Sequence, residues 1–309
     1  MACPGDSPPV HLVRQRCAAL LLRGQRGATH RYRARTLRIS PEELARLLEA
    51  CRSGSRDEQL AALEHIDSLK VAEAAPAVVE ALSSADEWVR SSAAEVLGRL
   101  GADASEVAGP ALIDALDDAE SMVRSDAAKA LDLLGYRPAA QRIGKLLEND
   151  PDAVVRADAA ETLGNIGDAG SLSVLEAALD DPDEAVRGYT ASSLGLLGGP
   201  RAKEVLDRAY GREVARRVLV ALAVARYRLG ERSALADVPR YLRSGDEDLA
   251  TVTLNELEFL MDRDPPSFLR DDMEQIRTTL EEAGRFPILR SQIGLIRARI
   301  SLSSDGRPT

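Results

Sequence analysis

A stretch of eighteen residues recurs four times in this chain of 309. Ser84 to Gly101 reads SADEWVRSSAAEVLGRLG, and Asp118 to Gly135 reads DAESMVRSDAAKALDLLG. Asp150 to Gly167 reads DPDAVVRADAAETLGNIG, and Asp181 to Gly198 reads DPDEAVRGYTASSLGLLG. The arginines Arg90, Arg124, Arg156 and Arg187 follow one another at 34, 32 and 31 residues. Self-similarity at that period marks a stacked repeat, in which each unit is too thin to bury its apolar face alone.

The columns of the repeat give its local structure. Counting from each arginine, position −1 holds Val89, Val123, Val155 or Val186, and position +4 holds Ala94, Ala128, Ala160 or Ala191. Position +7 holds Leu97, Leu131, Leu163 or Leu194, and position +10 holds Leu100, Leu134, Ile166 or Leu197. These offsets draw one apolar stripe along an α-helix, with a small residue where two helices approach closely. Position +11 is Gly101, Gly135, Gly167 or Gly198, where a left-handed cap can end the helix. A shorter apolar helix precedes each unit: 76–82, 110–116, 139–147 and 172–179. The prediction is an all-α chain, an α-solenoid of about seven helical hairpins closed by a C-terminal helical cap.

Four residues before each arginine stands Asp86, Glu120, Asp152 or Asp183. An acid there favours the helix macrodipole and is in the favourable i,i+4 order with the arginine. These residues therefore read as a structural ladder holding repeats in register, and Glu213 with Arg217 reads as its next rung. The columns resemble the HEAT-like repeat of the phycobilisome-lyase type, D-x-x-x-V-R-x-x-A-A-x-x-L-G-x-[LI]-G. The resemblance implies that the arginines bond toward acids of the turns and stitch adjacent repeats.

The ends of the array differ from its middle. Residues 1–39 carry eight arginines against one acid, Asp6, with no apolar periodicity, and read as a basic disordered tail. The run Cys17 to Leu22 is too short to span a membrane. Ser40-Pro41-Glu42-Glu43 starts the first helix, with a capping serine and proline at the first helical position. The solenoid is assigned to 40–263, the capping helices to 264–301 and a disordered tail to 302–309. In the first repeat Gln59 stands in the arginine column, and in the seventh Ala250 does. In the sixth, with Arg217 in that column, the outward positions become Val218, Leu219 and Leu222. A helix apolar nearly all round is covered either by a partner or by the C-terminal helices.

Charge bounds the partners. From residue 40 onward there are 49 acidic and 32 basic residues, so the solenoid is strongly acidic and repels phosphate backbones. With 3% aromatic residues the core is one of small aliphatics. The three cysteines, Cys3, Cys17 and Cys51, form no C-x-x-C pair, which points to a reducing, cytoplasmic setting. Glu64-His65 is a single reversed pair, unlike the several His-Glu pairs that hold two irons in the HEAT-repeat deoxyhypusine hydroxylases. No catalytic, cofactor or metal residues are assigned.

Three readings compete. The first is a non-enzymatic scaffold binding another protein on the concave face of the second helices, as in adaptors of taxis signalling. Its candidate contacts are Trp88, Ser92, Glu95, Asp126, Lys129, Asp158, Glu161, Tyr189 and Ser192, with Leu219 and Leu222 as an apolar anchor. The second, from the resemblance, is an enzyme like the bilin lyases. The third is a membrane-surface adaptor using the basic amphipathic helix 287–300. Oligomeric state is left open.

Overall fold

The computed structural model describes residues 40–263, except Ser244, together with Leu280, Arg290, Gln292, Ile293, Gly294 and Ile296. The expectations for the basic tail at 1–39, for 302–309 and for most of the capping segment 264–301 therefore lie outside the described residues. Within them the chain alternates first and second helices. The first helices are α1 (Pro41–Ser53), α3 (Ala75–Ala81), α5 (Ser105–Ala115), α7 (Ala140–Asn149), α9 (Leu172–Ala178), α11 (Gly199–Arg212) and α13 (Val238–Arg243). The second helices are α2 (Arg56–Leu69), α4 (Glu87–Leu100), α6 (Ser121–Leu134), α8 (Ala153–Ile166), α10 (Glu184–Leu197), α12 (Arg216–Arg228) and α14 (Glu247–Arg263). No strand occurs among the described residues, and the chain is an all-α solenoid.

The apolar columns form the interior. Val89, Val123, Val155 and Val186 are fully buried, as are Leu97, Leu131, Leu163 and Leu194. Each such leucine contributes about 1.5–3 kcal/mol relative to leaving it in water. The second helices touch through their small residues. A Cβ placed on Gly98 of α4 would lie 2.7 Å from the Ala130 Cα of α6, and one on Gly195 of α10 would lie 2.9 Å from the Ala225 Cβ of α12. Helix ends follow the glycine column: Gly101, Gly135 and Gly198 have positive φ, and so has Gly230, whereas Gly167 is extended at φ −65° and makes no left-handed cap.

Gly230 exposes an error of register in the sixth repeat. Counting back eleven residues from it puts Leu219, not Arg217, in the arginine column. Two contacts agree. Ala130 and Ser193, at +6, meet the glycines Gly98 and Gly164 of the preceding helix, and Ala225 is at +6 only when counted from Leu219. Val218 then takes the buried valine column, at 1% exposure. Arg217 is not an arginine-column residue; it faces Glu184 and Asp248 at 3.4 and 3.3 Å. The cause is the turn: α12 begins three residues after Glu213, as α10 begins three after Asp181, yet Arg217 stands only four after Glu213.

The apolar anchor is corrected with the register. Leu222 is 1% exposed and belongs to the main core, and Leu219 packs on Val220, Tyr241 and Leu249. Neither forms an open patch. Val224, on the outward stripe of α12, is buried with Leu235, Leu254, Leu257, Leu280, Ile293 and Ile296. The chain's own C-terminal part thus covers the second-helix face at this end.

Candidate functional site

Two polar ladders run across the repeats. The first lies at the turns. Arg90 donates to both carboxylate oxygens of Asp118 at 2.7 and 2.9 Å, Arg124 to Asp150 at 2.7 and 2.9 Å, and Arg156 to Asp181 at 2.8 and 3.0 Å. Arg187 donates to Glu213 at 2.9 and 3.3 Å. Each arginine also donates to two carbonyls of its own turn, as Arg124 does to Asp118 and Ala119. The three aspartates lie six residues before the next arginine, not four, and Glu213 lies six before Leu219. Asp86, Asp152 and Asp183 instead cap their own helices by accepting backbone N–H groups, and Glu120 makes no side-chain cap. Asp86 also accepts from Arg56 at 2.9 Å.

Burial works against the charge on Asp118, Asp181 and Glu213. The guanidinium of each partner and the amides of the turn outweigh it and hold these carboxyls below their usual range. Charge fades toward the ends of this ladder. At Gln59 the rung is neutral: Ser84 donates to its Oε1 at 3.3 Å while its Nε2 donates to the Cys51 carbonyl at 3.1 Å. At Leu219 the rung is apolar.

The second ladder lies on the outward stripe of the second helices, positions −2, +2, +5 and +9, which share one helix face, together with the adjoining +1 column. Ser91 donates to Asp126 at 2.5 Å, and Ser125 donates to Asp158 at 2.5 Å. Lys129 meets Asp158 at 3.0 Å and donates to Ser125 at 2.9 Å. Burial pushes the Asp126 carboxyl up to about 6, against the pull of Ser91 and Lys129. Burial also raises Asp158, which Lys129 and Ser125 oppose. Burial works against the charge on Lys129 as well, but the charge and hydrogen bond of Asp158, with Asp126 and Glu161 nearby, together outweigh it and raise its pKa.

The structure brings many of the candidate contacts together and removes others. Trp88 is half exposed at the first turn of α4, with Met122 and the exposed Val154 at the same position of α6 and α8. Ser92, Glu95, Asp126, Lys129 and Glu161 are half-buried beside them, and Tyr189 continues the row on α10. Asp158 is buried and engaged by its neighbours. Ser192 is buried and donates to Glu256 of α14 at 3.0 Å, so it is not open to a partner. Among the described residues the face is therefore open along α4, α6 and α8 and closes at α10 and α12. Ser91 and Ser125 are polar residues of the outward +1 column in the sequence, but their bonds to the aspartates of the next repeat left no signal there. Glu256 left no signal, because it reaches α10 from two repeats away.

Among the described residues, no group of three or more His, Cys, Asp and Glu is arranged to hold a metal ion. A cavity of about 260 Å³ opens at the turns of the fifth and sixth repeats, lined by Asp180, Arg187, Arg212, Glu213, Val218 and Leu222 among others. Its charged groups are those of the last ladder rung, the Arg212–Asp180 pair and Asp181, which answers Arg156. His65 is exposed and stands apart from both ladders.

The family model for HEAT repeats matches residues 44–132 and 140–225, more than half of the chain. This chain is a HEAT-repeat protein. No curated protein matches it. Solved structures similar to this HEAT-repeat chain include the complex of CpcE and CpcF of phycocyanin lyase from Nostoc sp. PCC7120, 22% identical, with 76% of this chain and 92% of that chain covered and a TM-score of 0.49. An engineered protein is 20% identical over 71% of this chain and 96% of its own, with a TM-score of 0.44. Human deoxyhypusine hydroxylase in complex with glycerol is 16% identical over 84% and 96%, with a TM-score of 0.37. At these values none of them bears on what the HEAT-repeat chain does.

Proposed function

We propose that this HEAT-repeat protein is a non-enzymatic scaffold that binds another protein on the second-helix face of α4, α6 and α8. The observation that carries the reading is the open stripe itself. It sets an exposed Trp88 and Val154 beside half-buried Ser92, Glu95, Asp126, Lys129 and Glu161 on three adjacent helices. Aromatic anchors ringed by polar groups are the anatomy of a protein interface. The acidic balance of the solenoid disfavours nucleic acid. Ile293 and Ile296, which would line the apolar side of a membrane-surface helix, are buried against α12 and α14, which speaks against the membrane reading. Cys51 is a buried free thiol, in keeping with a reducing, cytoplasmic setting.

The test is recovery of partners by the tagged full-length chain from its native cell. Trp88→Ala combined with Glu95→Arg lowers recovery of a specific partner about tenfold or more, while helicity and melting stay those of the parent. Undiminished recovery of every partner would remove the second-helix face from consideration.

A further inference from the structure

Among the described residues the second-helix face is covered at one end and open at the other. Over α10 and α12 the chain closes it with its own C-terminal part, through Ser192–Glu256 and the burial of Val224 against Ile293 and Ile296. Over α4, α6 and α8 nothing described covers it. There it offers an apolar row, Trp88, Met122 and Val154, beside the carboxylates of Glu95, Asp126, Asp158 and Glu161, with the cations Lys129 and Arg99 among them, Arg99 pairing with Glu95 at 3.4 Å.

The same chain holds a segment of matching chemistry. Residues 1–39 carry eight arginines and one acid, against 49 acids and 32 basic residues in the remainder. Within that segment Leu20, Leu21 and Leu22 are flanked by Arg14, Arg16 and Arg23. The segment joins the solenoid at Ser40, which caps α1 at the open end. From α2 to α8 is three helix spacings, about 30 Å at 8–10 Å each. The seventeen residues from Arg23 to Ser40 reach roughly 55 Å when extended. Length, attachment point and charge all agree.

From these we infer that the basic segment around Arg14–Arg23 docks on the open second-helix face of its own chain. Its leucines lie on the Trp88–Val154 row and its arginines on the Glu95, Asp126 and Glu161 carboxylates. The inference rests on reading this face as the binding face, and it makes the segment an internal occupant that a partner must displace. A disordered segment of like sign would gain nothing there. An opposite charge tethered at short range is held at high effective concentration.

Trp88 is the sole tryptophan and therefore reports on the face directly. Acrylamide quenching and emission wavelength are measured on the full-length chain and on its Arg14→Glu, Arg16→Glu, Arg23→Glu variant. The expected result is a shielded, blue-shifted Trp88 in the parent. Quenching rises about twofold or more in the variant, and high salt does the same to the parent by screening. Adding Glu95→Arg and Glu161→Arg to the variant restores shielding. Equal quenching of parent and variant at low salt overturns the inference, and shielding that grows with protein concentration overturns it in favour of docking between copies. This readout needs no partner. Loss of partner recovery in Trp88→Ala with Glu95→Arg tests the scaffold reading independently of the basic segment.

Discussion

The carboxylate of Glu213 takes the guanidinium of Arg187 in the place that Asp118, Asp150 and Asp181 hold for the three arginines before it. Its Oε1 also accepts the amides of Val214 and Ala215, as the aspartates accept the amide two residues on. Glu213→Gln leaves the nearly buried Arg187 charge without its counter-charge. The expected loss is about 2–3 kcal/mol, read by urea unfolding at neutral pH. The Glu213 pKa is depressed, so its contribution is present above the unfolded value near 4.5 and fades as pH falls below it. The difference between parent and variant accordingly shrinks in acid.

Leu222 separates a core residue from an interface anchor. It is 1% exposed among Val205, Leu206 and Ala209 of α11. Leu222→Asp is expected to cost about 4 kcal/mol or more, because it buries an unpaired carboxylate. Thermal melting shows it as a collapse of the C-terminal repeats. A parent-like melt would return this side chain to the surface.

Two glycines of α10 respond with opposite sign. Nothing lies within 4 Å of a Cβ built on Gly188, whereas one on Gly195 meets Ala225 Cβ and Cα at 2.9 and 3.0 Å. Gly188→Ala gains about 0.5–1 kcal/mol from helix propensity. Gly195→Ala loses about 1–3 kcal/mol by forcing α10 and α12 apart. Paired denaturant titrations give both signs.

Asp126 opposes the fold once it is ionised. Its pKa is raised from 3.8 to about 6, chiefly by burial. The unfolded chain thus releases this proton first, and the stability this group supplies falls as pH rises from about 4 to about 6. Asp126→Asn keeps an acceptor for Ser91 and removes the charge. The expected outcome is a gain of about 1–3 kcal/mol at pH 7.5 that vanishes near pH 4, measured by melting at both values. A gain that does not change with pH would contradict the raised carboxyl.

The hairpin count, the buried valine and leucine columns and the glycine caps other than Gly167 were legible in the sequence, because each depends on residues within one helix. The seventh repeat was placed correctly too: Ala250 is buried in the arginine column. The sixth was misplaced by two residues. Arg217 imitates the column in composition, while Gly230 and Val218 hold the true register. On the second-helix face Trp88, Glu95 and Lys129 reach the surface, whereas Ser192 and Leu222 are buried, because their surroundings come from α14 and α11.

By itself the sequence determined the unit: an apolar stripe of helical period, a cap at each end, and a repeat that must stack because its core is too thin. Tertiary structure decided which acid answers which arginine, since a rung joins turns some twenty-five residues or more apart in sequence. It also decided where the face stays open. Coverage depends on how far α14 and the residues after it fold back, and that is set by packing between repeats and not by any local pattern.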